Sequence, residues 1–204
     1  MDTERQPETA YVLGHSDQEL ERLISQARLY EPFTMQFFHN AGISEGMRVL
    51  DVGCGTGDVS FLAARMVGPN GQVVGVDRAE IAVETARQRM GDLQLSNVSF
   101  VVGDASEIAF EEPCDAVVGR FVLQWCPDPI AVLRQLTGLV RPGGVIAFQE
   151  PDWYGYHSRP PMPTWDRCAR WIPETIGRSG GDPYLGVSYL PPSPARDCPH
   201  QPCT

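Results

Sequence analysis

The sequence contains no lysine: all 16 basic residues among its 204 residues are arginines. Without lysine the chain cannot form the Schiff base of a pyridoxal-phosphate enzyme, the phosphate contact of a P-loop NTPase or a serine–lysine dyad. The arginines are outnumbered by 26 acidic residues, which gives a formal net charge of −10 at pH 7. Because negative charge repels a phosphate backbone, we do not expect a nucleic-acid partner.

Long apolar runs and paired cysteine motifs are missing as well. The longest apolar stretches are strand-sized, well short of the roughly 20 residues that a membrane-spanning helix needs. The first residues, 1–7, lack the basic and then apolar pattern of a signal peptide. The six cysteines stand at irregular spacing without a C-x-x-C motif, so they indicate neither a zinc site nor a disulfide framework. We therefore expect reduced thiols, no metal and no membrane span, in a cytoplasmic protein.

Proline is scarce in most of the chain and dense at its end. Residues 1–149 carry seven of the 18 prolines, and residues 150–204 carry eleven. Residues 191–204 contain five prolines and no Val, Ile, Leu or Phe, from which no central strand can be built. We predict four units along the chain: a helical N-terminal cover over 1–41, a core over 42–150, a further segment over 151–186 and a disordered tail over 187–204.

The pattern of apolar residues predicts alternating strands and helices. Two helices are expected near the N-terminus, one after Ser16, whose capping box includes Glu19, and one over 32–41 with Pro32 in its first turn. Strands are then expected, with helical segments between them, at 47–52, 72–77, 98–104, 115–119 and 144–150. This alternation is typical of right-handed βαβ units in an open sheet that binds ligands at the carboxyl ends of its strands. The predicted fold is therefore α/β, with a Rossmann-like, doubly wound and mostly parallel sheet of at least five strands.

A glycine-rich turn follows the first predicted strand, with Gly53, Gly55 and Gly57 at alternate positions. Glycines at such a turn let the backbone approach a ligand closely at the N-terminus of the next helix. Asp58 occupies the place of the third glycine in the dinucleotide-binding pattern G-x-G-x-x-G. Because a carboxylate there would repel a pyrophosphate, we expect a nucleoside ligand without a diphosphate, whose nearby group could be cationic.

Acidic residues end the second and third predicted strands. Asp77 lies 20 residues after Gly57, where a carboxylate can accept both hydrogen bonds of a ribose diol. Asp104 is placed to accept a hydrogen bond from the exocyclic amine of adenine. The carboxyl edge of the sheet therefore has the residue types that an adenosine group requires.

Taken together, these residues resemble the class I S-adenosylmethionine-dependent methyltransferases. The segment Val49-Leu-Asp-Val-Gly-Cys-Gly-Thr-Gly57 is similar to the first motif of that family, Gly75-Val-Asp77 to its acidic second-strand end and Gly103-Asp104-Ala105 to its adenine-contacting motif. The resemblance covers about residues 11–150 and looks nearest to the branch of ubiquinone and menaquinone C-methyltransferase-like proteins. It implies S-adenosyl-L-methionine as the cofactor, a small-molecule methyl acceptor, and an acceptor side formed by residues 151–186.

The resemblance also implies roles for ten residues around the cofactor. Those that would face its methionine portion are Asp51, Gly53, Cys54, Gly55, Gly57 and Arg120. Those that would face its ribose and adenine are Asp77, Arg78, Asp104 and Ala105. A surface ion pair remains the alternative for Arg120.

Methyl transfer from a sulfonium mainly requires alignment of the acceptor, at about 3–3.5 Å and in line with the bond that breaks. A general base is needed only where the acceptor must lose a proton, and His157 and Glu150, both near the end of the fifth predicted strand, are the candidates. The N-terminal helices resemble the variable cover of the family's pocket, so Tyr30 and Phe33 are candidate lining residues. The alternative is that both rings belong to the core.

The C-terminal sequence departs from the family, whose sheet is completed by an antiparallel pair, strands six and seven. After Gly186 only Val187, Tyr189 and Leu190 are strand-like, so we expect these two strands to be missing or incomplete in a truncated or frame-altered C-terminus. The fifth strand, 144–150, would then have an open apolar edge that favours self-association. Two functions stay open: an active methyltransferase, and an inactive cofactor-binding remnant. An NAD(P)-dependent oxidoreductase is a distant third.

Overall fold

The computed structural model describes residues 16–104, 112–153 and 158–185, together with Gly14 and Gly155. Its strands are β1 Arg48–Val52, β2 Gln72–Asp77, β3 Val98–Val102, β4 Cys114–Arg120 and β5 Val140–Gln149. Its α-helices are α1 Asp17–Asn40, α2 Asp58–Val67, α3 Glu80–Asp92, α4 Pro129–Thr137 and α5 Pro163–Arg178, and a 3₁₀ helix spans Leu123–Trp125.

The five strands form one sheet in the order β3-β2-β1-β4-β5, and every neighbouring pair is parallel. The predicted α/β, doubly wound sheet is therefore confirmed. The order reverses direction between β1 and β4, which makes the crevice at the carboxyl ends of these two strands the expected ligand site of such a fold.

Apolar side chains cover both faces of the sheet. One face packs against α1, α2 and α3 around Phe61, Val73 and Phe100. The other face packs against α4 around Val117 and Leu136. The central strands β1 and β4 are buried along most of their length, as expected for a parallel sheet covered on both faces, whereas β3 and β5 at the two edges are more exposed.

The N-terminal part differs from the prediction, because it forms one helix where two were expected. The start is as predicted, since the Ser16 Oγ accepts a hydrogen bond from the Glu19 amide at 3.3 Å. Pro32 lies inside α1, where it removes a backbone donor at a cost of about 3 kcal/mol. Packing offsets that cost, because α1 has one buried face that continues on both sides of Pro32. The residues of this face are Leu20, Ala27, Thr34 and Phe38.

Strand β5 also begins earlier than predicted. Val140 pairs with Cys114, and regular pairing resumes only where Val145 meets Ala116. The residues between them form an irregularity in the strand, so the predicted segment 144–150 corresponds to its regularly paired part. Within the described ranges β5 has β4 as its one neighbour.

Several expectations fall on residues that are not described. These are the tail over 187–204, the question of strands six and seven beyond residue 185, and two of the cysteines, Cys198 and Cys203. The cysteines within the described ranges, Cys54, Cys114, Cys126 and Cys168, are free. No described helix has the length and apolar character needed to cross a bilayer, and the same part of the chain holds no cluster of side chains suited to a metal ion.

Candidate functional site

The loops after β1 and β4 lie against each other at the point where the strand order reverses. A Cβ added to Gly53 would stand 2.6 Å from the Val122 Cγ2, so a glycine is required for this close approach. The turn that was predicted to approach a ligand therefore borders the crevice between β1 and β4.

The glycines of this turn do different work. Gly57 has a φ of 88°, and a Cβ there would lie 2.8 Å from the Phe61 Cζ and 2.9 Å from the Phe100 Cζ. At Gly55, by contrast, an added Cβ would meet nothing within 4 Å. Gly57 thus packs the turn onto the core, while the backbone at Gly55 faces open space in which a ligand can lie.

Asp51, in β1, is fully buried. Its Oδ2 accepts a hydrogen bond from the Ser60 Oγ at 2.6 Å, and its Oδ1 has no hydrogen-bond partner among the described residues. Burial raises the pKa of Asp51 to about 7, against the lowering effect of the Ser60 hydrogen bond. A buried oxygen without a partner requires an explanation, and a cationic ligand group would supply one.

Asp77 holds the glycine turn from the end of β2. Its Oδ2 accepts a hydrogen bond from the Gly55 amide at 2.8 Å, and its Oδ1 accepts one from the Ala79 amide at 2.9 Å. Because a carboxylate has about four acceptor positions, lone pairs remain for a diol. Asp77 therefore both shapes the turn and keeps the capacity that the sequence predicted for it.

Two of the residues assigned to adenine contact each other. The Arg78 side chain, 71% exposed, donates a hydrogen bond from Nη2 to the Asp104 Oδ2 across the ends of β2 and β3. Ala105, the third of these residues, lies outside the described ranges. An adenine at this edge would therefore meet a paired arginine and aspartate.

Asp58 does not present the free charge that the sequence predicted. Its Oδ1 lies 2.7 Å from the Arg89 Nη2 of α3, and its Oδ2 accepts a hydrogen bond from the Thr56 Oγ1 at 2.8 Å. The first turn of α2 lies beside the last turn of α3, so this carboxylate is paired within the protein. Because Asp58 pairs with Arg89, the expected repulsion of a pyrophosphate or attraction of a cationic ligand group by a free carboxylate at this position is not supported.

Arg120 ends β4 on the other side of the crevice and is partly buried. Burial lowers its pKa, while the negative charges of Asp58 and Asp51 act in the opposite direction. Its Nη1 donates a hydrogen bond to the Thr34 Oγ1 at 3.1 Å, and no carboxylate of the described residues forms a salt bridge with it. The alternative of a surface ion pair is therefore not observed, and the guanidinium can take an anionic ligand group.

Glu150, one candidate for a general base, caps the 3₁₀ helix. Its Oε1 accepts hydrogen bonds from the amides of Val122 and Leu123 at 2.9 Å each, and its Oε2 accepts one from Gln124 at 3.3 Å. Burial raises its pKa to about 7, against the effect of these bonds. The carboxylate thus fixes the loop after β4. His157, the other candidate, lies outside the described ranges.

Helix α1 is the predicted N-terminal cover, and its two candidate lining residues, Tyr30 and Phe33, have different surroundings. The Tyr30 ring packs edge-on against Phe121, with 5.0 Å between centroids and an interplanar angle of 87°. Phe33 is 64% exposed, so it does not belong to the core. It lies on the outer side of α1, because Tyr30 and Thr34, one turn apart, face the strand ends.

Sequence reasoning missed Thr34, Gln149 and Phe121. The Thr34 Oγ1 lies 2.7 Å from the Gln149 Oε1, and these residues are 115 positions apart. Phe121 has a φ of 62°, a conformation that bulky residues seldom adopt. No local pattern marks a threonine whose partners come from distant strands, so only the folded structure reveals this group.

Comparisons with known proteins show the family of the chain. Residues 43–175 match a family model described as a methyltransferase domain. The chain is 31% identical over 153 residues to the demethylmenaquinone methyltransferase of Listeria welshimeri, covering 72% of this chain and 62% of that protein. It is 34% identical over 125 residues to that of Staphylococcus aureus, covering 61% and 48%. The chain thus spans less than two thirds of the length of these curated relatives.

Solved structures share the fold. A SAM-dependent methyltransferase from Aquifex aeolicus matches with a TM-score of 0.62 and 23% identity, covering 81% of this chain and 88% of that one. The [4+2]-cyclase SpnF matches with a TM-score of 0.54 and 26% identity, covering 59% and 44%. A protein named for a different reaction therefore has a similar fold, and the assignment of an activity must rest on the site.

Proposed function

The chain belongs to the methyltransferase domain family, and from that premise we propose that it transfers a methyl group from S-adenosyl-L-methionine to a small-molecule acceptor. The observation that carries the proposal is the buried Asp51 Oδ1, which has no partner among the described residues. Asp51 is in β1, one of the two strands between which the strand order reverses, and the turn that follows β1 exposes the backbone of Gly55 to open space. A ligand with a cationic group and an adenosine group fits these residues.

Each residue has a distinct part in binding. The Asp51 Oδ1 accepts a hydrogen bond from the ammonium of the methionine portion, Arg120 takes its carboxylate, and Asp77 accepts from the ribose hydroxyls. Gly53, Cys54, Gly55 and Gly57 form the turn beneath the ligand, and we assign Arg78, Asp104 and Ala105 to contacts with the adenine. When bound, the cofactor supplies a methyl group that is already activated on a sulfonium sulfur.

We propose a quinone-like aromatic ring as the acceptor. The curated relatives are named demethylmenaquinone methyltransferases, and the Tyr30 and Phe121 rings lie beside Arg120 at the crevice. Aromatic walls suit a flat, largely apolar acceptor and help to exclude water. Orientation of that acceptor is the main contribution of the protein, and His157 or Glu150 would act as a base only if the acceptor must lose a proton.

Calorimetric titration with S-adenosylmethionine, S-adenosylhomocysteine and NAD tests the cofactor. We expect the first two to bind and NAD not to bind. Asp77→Asn should weaken S-adenosylmethionine binding by roughly 1.5–3 kcal/mol, the range for hydrogen bonds to charged groups. Asp92→Asn, an exposed carboxylate at the end of α3, is the control for the loss of one negative charge. Binding of NAD instead would favour the oxidoreductase.

Turnover tests the activity itself. Mass spectrometry of a mixture of the protein, S-adenosylmethionine and demethylated quinones should show an acceptor heavier by one methylene unit. Cofactor binding without turnover on any acceptor tested would favour the second candidate, a cofactor-binding chain without methyltransferase activity.

We assign residues 1–41 to the cover, 42–150 to cofactor binding and 151–186 to the acceptor side, and we place the protein in the cytoplasm without a nucleic-acid partner. We also propose that the outer edge of β5, which has no strand beside it among the described residues, mediates self-association. Fractionation of cells that express a tagged chain tests the location.

A further inference from the structure

We infer that Thr34 is a positioning residue for the cofactor: its hydroxyl bridges Arg120 and Gln149, and so holds the Arg120 guanidinium where it receives the carboxylate of the methionine portion. This inference rests on the proposed function, because it concerns how the same crevice selects one end of its ligand. Thr34 comes from the cover helix, whereas Arg120 and Gln149 end neighbouring strands.

The hydrogen bonds have a defined direction. Arg120 can only donate, so its Nη1 donates to the Thr34 Oγ1 at 3.1 Å. The single Thr34 proton is then available to the Gln149 Oε1 at 2.7 Å, or to the Tyr30 carbonyl, which lies at 3.1 Å. Because Thr34 is fully buried, water does not replace either bond. The bridge therefore runs from Arg120 through Thr34 to Gln149.

The backbone after Arg120 is shaped for this arrangement. Phe121 has a φ of 62°, in the left-handed region that non-glycine residues adopt at a steric cost. Its amide donates a hydrogen bond to the Gln149 carbonyl at 2.9 Å, and its ring meets that of Tyr30. Two contacts of α1, one turn apart, thus fix the ends of β4 and β5, one by ring packing and one by hydrogen bonding.

The bridge explains how the partly buried Arg120 is stabilised in the absence of ligand, although no carboxylate in the described part of the chain forms a salt bridge with it. Arginine has many rotamers, and ordering such a side chain on binding reduces affinity. Thr34 orders the guanidinium in advance. The benefit is therefore specific to ligands that carry a group for Arg120 to bind.

Two ligands separate this positioning role from a general structural role. S-adenosylmethionine has the carboxylate, whereas 5′-methylthioadenosine has the adenosine group and the sulfur without the amino-acid portion. We expect Thr34→Val, which keeps the shape and removes the hydroxyl, to weaken S-adenosylmethionine binding about tenfold and to leave methylthioadenosine binding unchanged in calorimetry. Thr34→Ser should restore the wild-type affinity. Thr137→Val is the control for the loss of a threonine hydroxyl, since the Thr137 hydroxyl donates to the Arg134 carbonyl of its own helix.

A double variant adds a second readout. In an Arg120→Met background, Thr34→Val should cause no further loss of S-adenosylmethionine affinity, because the residue it positions is gone. If Thr34→Val does not fold, Gln149→Met removes the other end of the bridge, and it should weaken only the ligand with the carboxylate, by several-fold.

The outcomes distinguish this inference from the proposed function. Equal losses for both ligands in Thr34→Val, or no loss for either, would overturn the positioning role while leaving the cofactor assignment intact. If the wild-type protein binds neither ligand, the proposed function fails and the role of Thr34 in it fails with it.

Discussion

Asp51 makes the stability of the protein depend on pH. Burial raises its pKa from 3.8 to about 7 in the folded chain, so folding takes up a proton between these two values. The free energy of unfolding that Asp51 contributes is therefore full below about pH 4, falls as the pH rises and is lost above about pH 7. Glu150, whose pKa is also raised to about 7 by burial, acts in the same direction.

Asp51→Asn should reduce this dependence on pH. Between pH 5 and pH 8, we expect the free energy of unfolding of the wild type to fall by roughly 2–3 kcal/mol more than that of the variant, at about 1.4 kcal/mol per pKa unit. Urea unfolding at a series of pH values measures the difference, with Asp92→Asn as the control for a change in net charge. Parallel pH profiles for the wild type and Asp51→Asn would show that the Asp51 carboxylate ionises as readily as an exposed one.

Single substitutions of Glu150 and His157 test whether either residue acts as a general base. The Glu150 carboxylate accepts three backbone hydrogen bonds, so its role in the loop after β4 competes with proton transfer. We expect initial rates of methyl transfer by His157→Ala and Glu150→Gln to stay within about twofold of wild type, because orientation alone suffices when the acceptor gives up its proton late. A fall of 10²-fold or more in either variant would identify that residue as the base.

The elements of the fold show which features the sequence could predict. Strand β2 and its acid, Asp77, were predicted because an apolar run and a strand-ending carboxylate are both local signals. The sequence does not predict that α1 continues through Pro32. That continuity depends on the packing of Thr34 and Phe38 against residues that are distant in the sequence. The ion pair between Asp58 and Arg89 could not be predicted either, because it joins α2 and α3, which become neighbours only in the folded chain.

Gly75 in β2 packs against Ser60, the residue that donates a hydrogen bond to Asp51 in the candidate site. A Cβ there would lie 2.6 Å from the Ser60 Oγ and 2.7 Å from the Phe100 Cδ1, and Ser60 is the hydrogen-bond donor to Asp51. We expect Gly75→Ala to lower the free energy of unfolding by about 1–3 kcal/mol through overpacking. Urea unfolding measures this effect, and calorimetry shows whether the affinity for S-adenosylmethionine falls with it.

Gly91→Ala is the matched control for Gly75→Ala. Gly91 lies in α3, and an added Cβ meets nothing within 4 Å, so alanine should stabilise the helix by up to about 1 kcal/mol. Opposite signs for the two substitutions are expected. If both stabilise the protein, β2 and α2 move apart more easily than the close contact at Gly75 implies.

The molecule as a whole places residues from separate parts of the sequence around one crevice. The order β3-β2-β1-β4-β5 brings the turn after β1 against the loop after β4, and α1 contacts the end of β4 through Tyr30 and Thr34. The motif residues of the crevice could be predicted, because family resemblance lies in contiguous segments. The contribution of α1 could not, because it depends on how a variable helix packs against the strand ends.

Among the described residues the sheet ends at β5, and we propose that the outer edge of this strand mediates self-association. Val145, Ile146, Ala147 and Phe148 are uncharged and β-prone, and β5 has a strand on one side only among the described residues. Such an edge pairs readily with a second copy of the chain, although a net charge of −10 opposes association.

We expect a larger mass by light scattering at higher protein concentration, with slower hydrogen exchange of the β5 amides. The amides of β1, which is paired with β2 and β4, should exchange slowly at every concentration. Strong protection of β5 in a monomer, independent of concentration, would show that another segment of the same chain covers the edge, and 187–190 would be the first segment to delete.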